Sequence, residues 1–176
     1  EKYPVEAVFG MHNIPGMPVG SFAVKPGPFM ASFDIFNLKI IGKGGHAAMP
    51  QTTIDPIIIG TKIVDAYQSI VSRYIDPQEP VVLSVTQFHG GDAYNVIPNE
   101  IEIKGTVRCF STKVQASIEK QMENLTSSIC SAYGATYEFE YQHRYPPTIN
   151  SAEEVETSLK VMNEISDESM INTSPS

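Results

Sequence analysis

The chain has 176 residues, 41% of them hydrophobic, which suffices for one full core and a fragment of a second. Its formal net charge of −8 and pI near 4.9 exclude a nucleic-acid surface or an anionic membrane as main partner, since either needs a basic patch. Cys109 and Cys130 lack CxxC spacing and read as buried thiols, and no apolar run approaches the ~18 residues of a membrane span.

In chain order, "VEAVFGMHN" (5–13) reads as a short apolar strand, followed by the Pro/Gly-rich run "IPGMPVGSFAVKPGPFM". "FDIFNLKII" (33–41) is a strand that stops at the Gly42–Gly45 cluster. Asp55 and Pro56 then open a helix with Ile59, Ile63, Ala66, Tyr67, Ile70 and Val71 at three-to-four spacing, ending near Arg73 or Tyr74. "VVLSVTQF" (81–88) is a second strand. After the turn-rich "HGGDAYN", residues 96–110 give a third, in which Ile101, Ile103, Val107 and Cys109 alternate with Glu100, Glu102, Lys104, Thr106 and Arg108. Thr112 with Gln115 reads as a capping box for a second helix striped by Val114, Ile118, Met122, Leu125, Ile129 and Tyr133 and closed by Gly134. "TYEFEYQHRY" alternates as a fourth strand, and residues 151–165 carry a helical stripe of Val155, Leu159, Met162 and Ile165.

The order β-α-β-β-α-β over 32–147 predicts an α+β, ferredoxin-like domain: a four-stranded antiparallel sheet with two helices on one face. Residues 1–31 and 148–176 do not belong to it. A strand before and a helix after an intact domain suggest that it is inserted into a second, α/β domain.

Four polar residues are candidates for chemistry. His12, after the apolar run, can ligate a metal or act as a hydrogen-bonded structural residue. His46, in "GKGGHAAMP", sits where glycines permit close backbone approach; it is either a turn residue or a donor to a site formed elsewhere. Asn95 can close an Asx turn or offer its amide to a ligand. Arg108 can bind a carboxylate in bidentate fashion, or pair across strands with Glu100 or Glu138.

Taken together, "GMHN", "PGMPVGSFAVKPGPFMAS", "GKGGHAAMP" and "HGGDAYNVIPNEIEIKGTVR" resemble, in order and spacing, the amidohydrolase branch of the dinuclear-metal M20 peptidase family, which includes hippurate hydrolases and N-acyl-amino-acid amidohydrolases. The resemblance spans about residues 5–150. It implies a lid and dimerisation domain at 32–147, interrupting a catalytic domain of which 1–31 and 148–176 are parts. It further implies that His12 is a metal ligand, that His46 steadies the oxyanion in a partner subunit's site, and that Asn95 and Arg108 recognise the substrate's carboxylate or carbonyl oxygens. The implied reaction is hydrolysis of an N-acyl amino acid, with two divalent ions, zinc or manganese, polarising the acyl carbonyl and a carboxylate relaying the proton. Many relatives have a histidine after "AAMP", where this chain has Gln51, which cannot titrate.

One imidazole cannot hold two metals, so the chain alone is expected to bind none and to be inactive. A homodimer through the lid and a cytoplasmic location are expected, although without an initiator methionine a leader segment stays open. The competing reading is a noncatalytic ferredoxin-like module for ligand binding or oligomerisation.

Overall fold

The computed structural model describes residues 4–175; residues 1–3 and 176, at the ends of the two flanking segments, lie outside the described residues. The first half contains β1 (Phe22–Ala23), β2 (Gly27–Met30), β3 (Phe33–Ile41), β4 (Gly45–His46) and α1 (Pro56–Ser69), then β5 (Val81–His89) and β6 (Val96–Ile97). The second contains β7 (Glu100–Cys109), α2 (Thr112–Tyr133), β8 (Thr136–Tyr145), β9 (Thr148–Asn150), α3 (Ala152–Ile165) and β10 (Ile171–Asn172). These elements divide into two compact units, one of Ala31–Pro147 and one built from the segments ending at Met30 and starting at Thr148.

The larger unit is the ferredoxin-like domain that the alternation predicts. Its sheet runs β5-β7-β3-β8 with every neighbouring pair antiparallel. On β3, Phe36, Leu38 and Ile40 are buried while Phe33, Ile35 and Asn37 lie on the opposite face, and on β7 Ile101, Ile103 and Val107 are buried likewise. Against this face lie Ile59, Ile63, Tyr67 and Ile70 of the first helical segment, and Ile118, Met122 and Cys130 of α2. Tyr67 fixes the contact between helices: its ring meets Phe36 edge-on at 5.9 Å and its hydroxyl shares a buried 2.7 Å hydrogen bond with Thr126. Among its described residues this unit places no helix on the other sheet face. The helix termini follow from sequence. Asp55 Oδ1 accepts from Ile57 N at 2.9 Å, α1 runs into a π turn over Ile70–Tyr74, and α2 stops at Gly134, whose φ of 73° suits glycine.

Three sequence expectations need correction. The third strand does not run unbroken from 96 to 110: Pro98, with no N–H to give a ladder, separates β6 from β7. The N-cap of α2 is Ser111, whose Oγ accepts from Val114 N at 3.4 Å. Thr112 is the first helical residue, and Gln115, instead of closing a box, is buried with its amide turned to Asp34. Finally, residues 5–13 are not a strand. A strand needs a ladder partner, and no described residue pairs with this segment, whose Val8 and Met11 are 82% and 88% exposed.

In the smaller unit β1 pairs in parallel with β10 and β2 antiparallel with β9. The predicted helix is α3, with Val155 buried and Leu159 and Met162 half-buried.

Candidate functional site

His46 is held by backbone bonds on every side. The strands β4 and β6 pair through Gly45↔Ile97 and His46↔Val96. Gly42 N donates to Asn99 O at 2.8 Å, Gly44 N to Asn99 Oδ1 at 2.9 Å, and Ala47 N to Asn95 O at 2.9 Å. Lys43 and Ile54 exchange two bonds of 2.9 Å. Glycine is required at 44, because a Cβ there would lie 2.5 Å from Ile97 O. The imidazole itself is exposed, and its Nδ1 is 3.1 Å from Ala48 N. A backbone N–H can only donate, so this Nδ1 accepts and the ring proton of the neutral form resides on Nε2, the free nitrogen. Val96, opposite His46 in the ladder, and Met49 and Tyr94, near it in the same loops, are exposed apolar or aromatic side chains.

The bond from Ala47 to the Asn95 carbonyl brings Asn95 next to His46. Its side chain is exposed and makes no hydrogen bond among the described residues, so it closes no Asx turn. Arg108 lies elsewhere. Eight residues separate it from Glu100, at the start of β7, which at ~3.3 Å per residue is about 26 Å along the strand. The expected ion pairs with Glu100 or Glu138 do not form. Glu100 is on the same strand and binds Lys39 Nζ at 2.9 Å, and Glu138 sits opposite Lys39 at that same distant end. Instead the Arg108 guanidinium carbon lies 4.0 Å from the centre of the Phe33 ring, and Nη1 donates to Tyr145 Oη at 3.4 Å. No carboxylate pairs with Arg108 among the described residues.

His12, in the smaller unit, is exposed, with Nδ1 2.7 Å from Asn13 O. No group of three or more His, Cys, Asp or Glu side chains able to hold a metal occurs among the described residues. His12 therefore does not make up a two-metal centre, and Cys109 and Cys130 are buried free thiols that offer no substitute; burial pushes the Cys130 thiol up to about 11.

Sequence reasoning missed a buried polar network at the Arg108 end, on the helix-covered face. Asp34, fully buried, accepts from Gln115 Nε2 at 2.7 Å and from Tyr141 Oη at 2.9 Å. His143 lies between two carboxylates, Nδ1 3.3 Å from Asp34 Oδ1 and Nε2 3.1 Å from Glu119 Oε2. Burial, and then the neighbouring Asp34, hold the Tyr141 hydroxyl far above the usual phenol range, so it stays a donor. The available signal was parity: Asp34 shares a face with Phe36, Leu38 and Ile40.

A family model described as a peptidase dimerisation domain matches residues 33–134. Over 83% of its length the chain is 49% identical to an N-acyl-L-amino acid amidohydrolase from Geobacillus stearothermophilus, covering 40% of that protein. It is 40% identical to thermostable carboxypeptidase 2 of Saccharolobus solfataricus over 97% of its length, covering 43% of that enzyme. Among solved structures, a dinuclear metal-binding peptidase of the M20 family from Bacillus subtilis superposes with a TM-score of 0.69 at 30% identity, over 95% of this chain and 41% of that one. The chain thus spans about two fifths of the length of the curated relatives it matches. No helix among the described residues is long and apolar enough to cross a membrane.

Proposed function

Since the chain belongs to the M20 family of peptidases and amidohydrolases, we propose that it is the lid, with adjoining segments of the catalytic domain, of a metal-dependent amidohydrolase. Its substrates are N-acyl amino acids, cleaved at the amide to a carboxylic acid and a free amino acid. In this reading 32–147 is the lid and dimerisation domain, and 1–31 and 148–176 belong to the catalytic domain. His12 is one ligand of a centre of two divalent ions, zinc or manganese, whose other ligands come from further parts of a longer protein. The chain on its own is inactive.

The observation that carries the reading is the state of His46. Ala48 N fixes the tautomer, so a neutral imidazole presents Nε2–H outward from a braced loop. A donor fixed in advance, aimed at the oxygen that gains charge as water adds to the amide carbon, lowers the barrier without reorganising during the reaction. Asn95, beside it with a free amide, supplies a second polar contact to the substrate's oxygens.

The distance along β7 supports a composite, dimeric site. The amide carbonyl and the carboxylate of an N-acyl amino acid lie roughly one residue repeat apart, ~3.8 Å, against about 26 Å of strand between the two ends of the lid sheet. One lid cannot serve both ends of one substrate. It offers His46 and Asn95 to one site and Arg108 to the other, and the exposed Met49, Tyr94 and Val96 near His46 suit burial against a second copy.

The test is hydrolysis of a panel of N-acyl amino acids by the full-length protein and its His46→Ala variant, each loaded with zinc or manganese. The expected loss in the variant is about 10²–10³ in kcat with the metal content unchanged. Wild-type kcat in the variant would return His46 to a turn residue.

A further inference from the structure

The feature with no assigned purpose is the end of β8. From Asp34↔His143 inward the β3–β8 register is regular, which puts Tyr137, Phe139, Tyr141 and His143 on the helix-covered face with Leu38 and Ile40. Continued one step, it would set Arg144 opposite Phe33 and return Tyr145 to the covered face. It does not continue. The register shifts between Phe33 and Asp34, so that Tyr145 is the partner of Phe33. A bulge of this kind re-aims one side chain at the cost of a local break in the ladder. Here it carries Tyr145 to the open face, where its ring packs at 5.4 Å from Phe33 and its hydroxyl meets Arg108.

The chemistry of that contact is directional. The guanidinium has only donors, so Tyr145 Oη accepts from Nη1 and keeps its own proton. With Tyr145 half exposed, that O–H is available to an acceptor lying beside the guanidinium. Phe33 covers one face of Arg108, which limits its rotamers and leaves the remaining N–H edge for a ligand. No carboxylate of the described residues fills the place, in a chain with 20 acidic side chains.

We propose that Tyr145 is a substrate-binding residue, its phenol donating a second hydrogen bond to the carboxylate that Arg108 binds, with Phe33 the positioning residue that holds the guanidinium. This rests on the reading that Arg108 recognises the substrate's carboxylate. The phenol and the guanidinium together select carboxylate over carboxamide: one donor edge addresses each oxygen, and an amide NH2 in place of either leaves two donors facing each other.

The experiment compares kcat and KM of the full-length, metal-loaded enzyme on an N-acyl amino acid and on its carboxamide. Phenylalanine at 145 keeps the ring against Phe33 and removes only the hydroxyl. The expected result for Tyr145→Phe is a rise of about 10- to 100-fold in KM for the carboxylate substrate, the range for losing one hydrogen bond to a charged group. The loss falls on KM more than on kcat, and the preference for carboxylate over carboxamide falls in step. Arg108→Ala is run alongside. If Arg108→Ala collapses that preference and Tyr145→Phe does not, the assignment of Tyr145 is overturned while the reading of Arg108 stands. If Arg108→Ala leaves the preference intact, the carboxylate is read elsewhere and both fall. An equal effect of Tyr145→Phe on both substrates also overturns the assignment, since a general loosening of the lid does not discriminate.

Discussion

If His46 and Arg108 of one lid serve different sites, two crippled chains can repair each other. Take His46→Ala and Arg108→Ala, each expressed as the full-length protein, mix them in equal amounts and allow subunits to exchange. The basis is metric: about 26 Å of β7 lies between the register position of Arg108 and the end of the sheet that meets the His46 loop, too far for one substrate. In a two-fold dimer of the two variants, one site receives His46 and Arg108 both intact, from opposite chains, and the other receives neither. Random exchange makes half of the dimers mixed, each with one whole site of two, so the mixture recovers about a quarter of the wild-type rate at low substrate. The parents alone contribute roughly 1% or less from the His46→Ala side. The assay is initial rate against mixing time, with exchange followed independently by differently tagged chains. Complete exchange with a rate no greater than the mean of the parents would refute the composite site and put both residues in one.

Removing the Asp34 carboxylate by Asp34→Ala leaves the buried Gln115 amide and the half-buried Tyr141 hydroxyl without their acceptor, and the protein should lose about 2–6 kcal/mol in urea unfolding, at ~1–3 kcal/mol for each of the two orphaned groups. A loss under about 0.5 kcal/mol would mean the network repairs itself with water. Gly44→Ala places a methyl 2.5 Å from Ile97 O and 3.0 Å from Asn99 Oδ1, so the His46 loop must move. Its kcat should fall about 10²-fold, the cost of an ångström of misplacement, with the circular dichroism of the sheet and helices retained; unaltered kcat would show that the clamp on His46 does not matter to the reaction.

The fold was legible because its elements announce themselves locally. Alternation in "FDIFNLKII" and "IEIKGTVRC" gives each strand and its buried face, and Asp55–Pro56 and Gly134 punctuate the helices. What failed depended on partners. The segment at 5–13 has strand composition but no described ladder to join. Gln115 sits at the spacing of a capping box, yet its amide is drawn to Asp34, 81 residues away, by a burial no short window reveals. Tyr141 and His143 reach the same carboxylate from 107 and 109 residues away. The candidate site divides along the same line. His46 was visible from its glycines and Asn95 from its loop, while the aromatic setting of Arg108 depends on a bulge, and a bulge leaves no periodic mark in "TYEFEYQHRY".

Parity also explains why Arg108 has no carboxylate partner among the described residues. Asp34 is the partner of Val107 in the ladder, one residue from Arg108, so a carboxylate does sit at that end of the sheet. The pleat turns it to the covered face, where Gln115, Tyr141 and His143 engage it. Phe33, one position earlier, takes the open face and offers a ring in place of a charge. A one-residue slip of β3 would exchange the two and neutralise Arg108 internally, since register sets the face of every side chain at once. Against a net charge of −8, whose field beyond ~8–10 Å is screened by salt, an incoming carboxylate gains its attraction only at short range. In the proposed reading the pair of Arg108 and Tyr145 supplies it there, without an internal acid to displace.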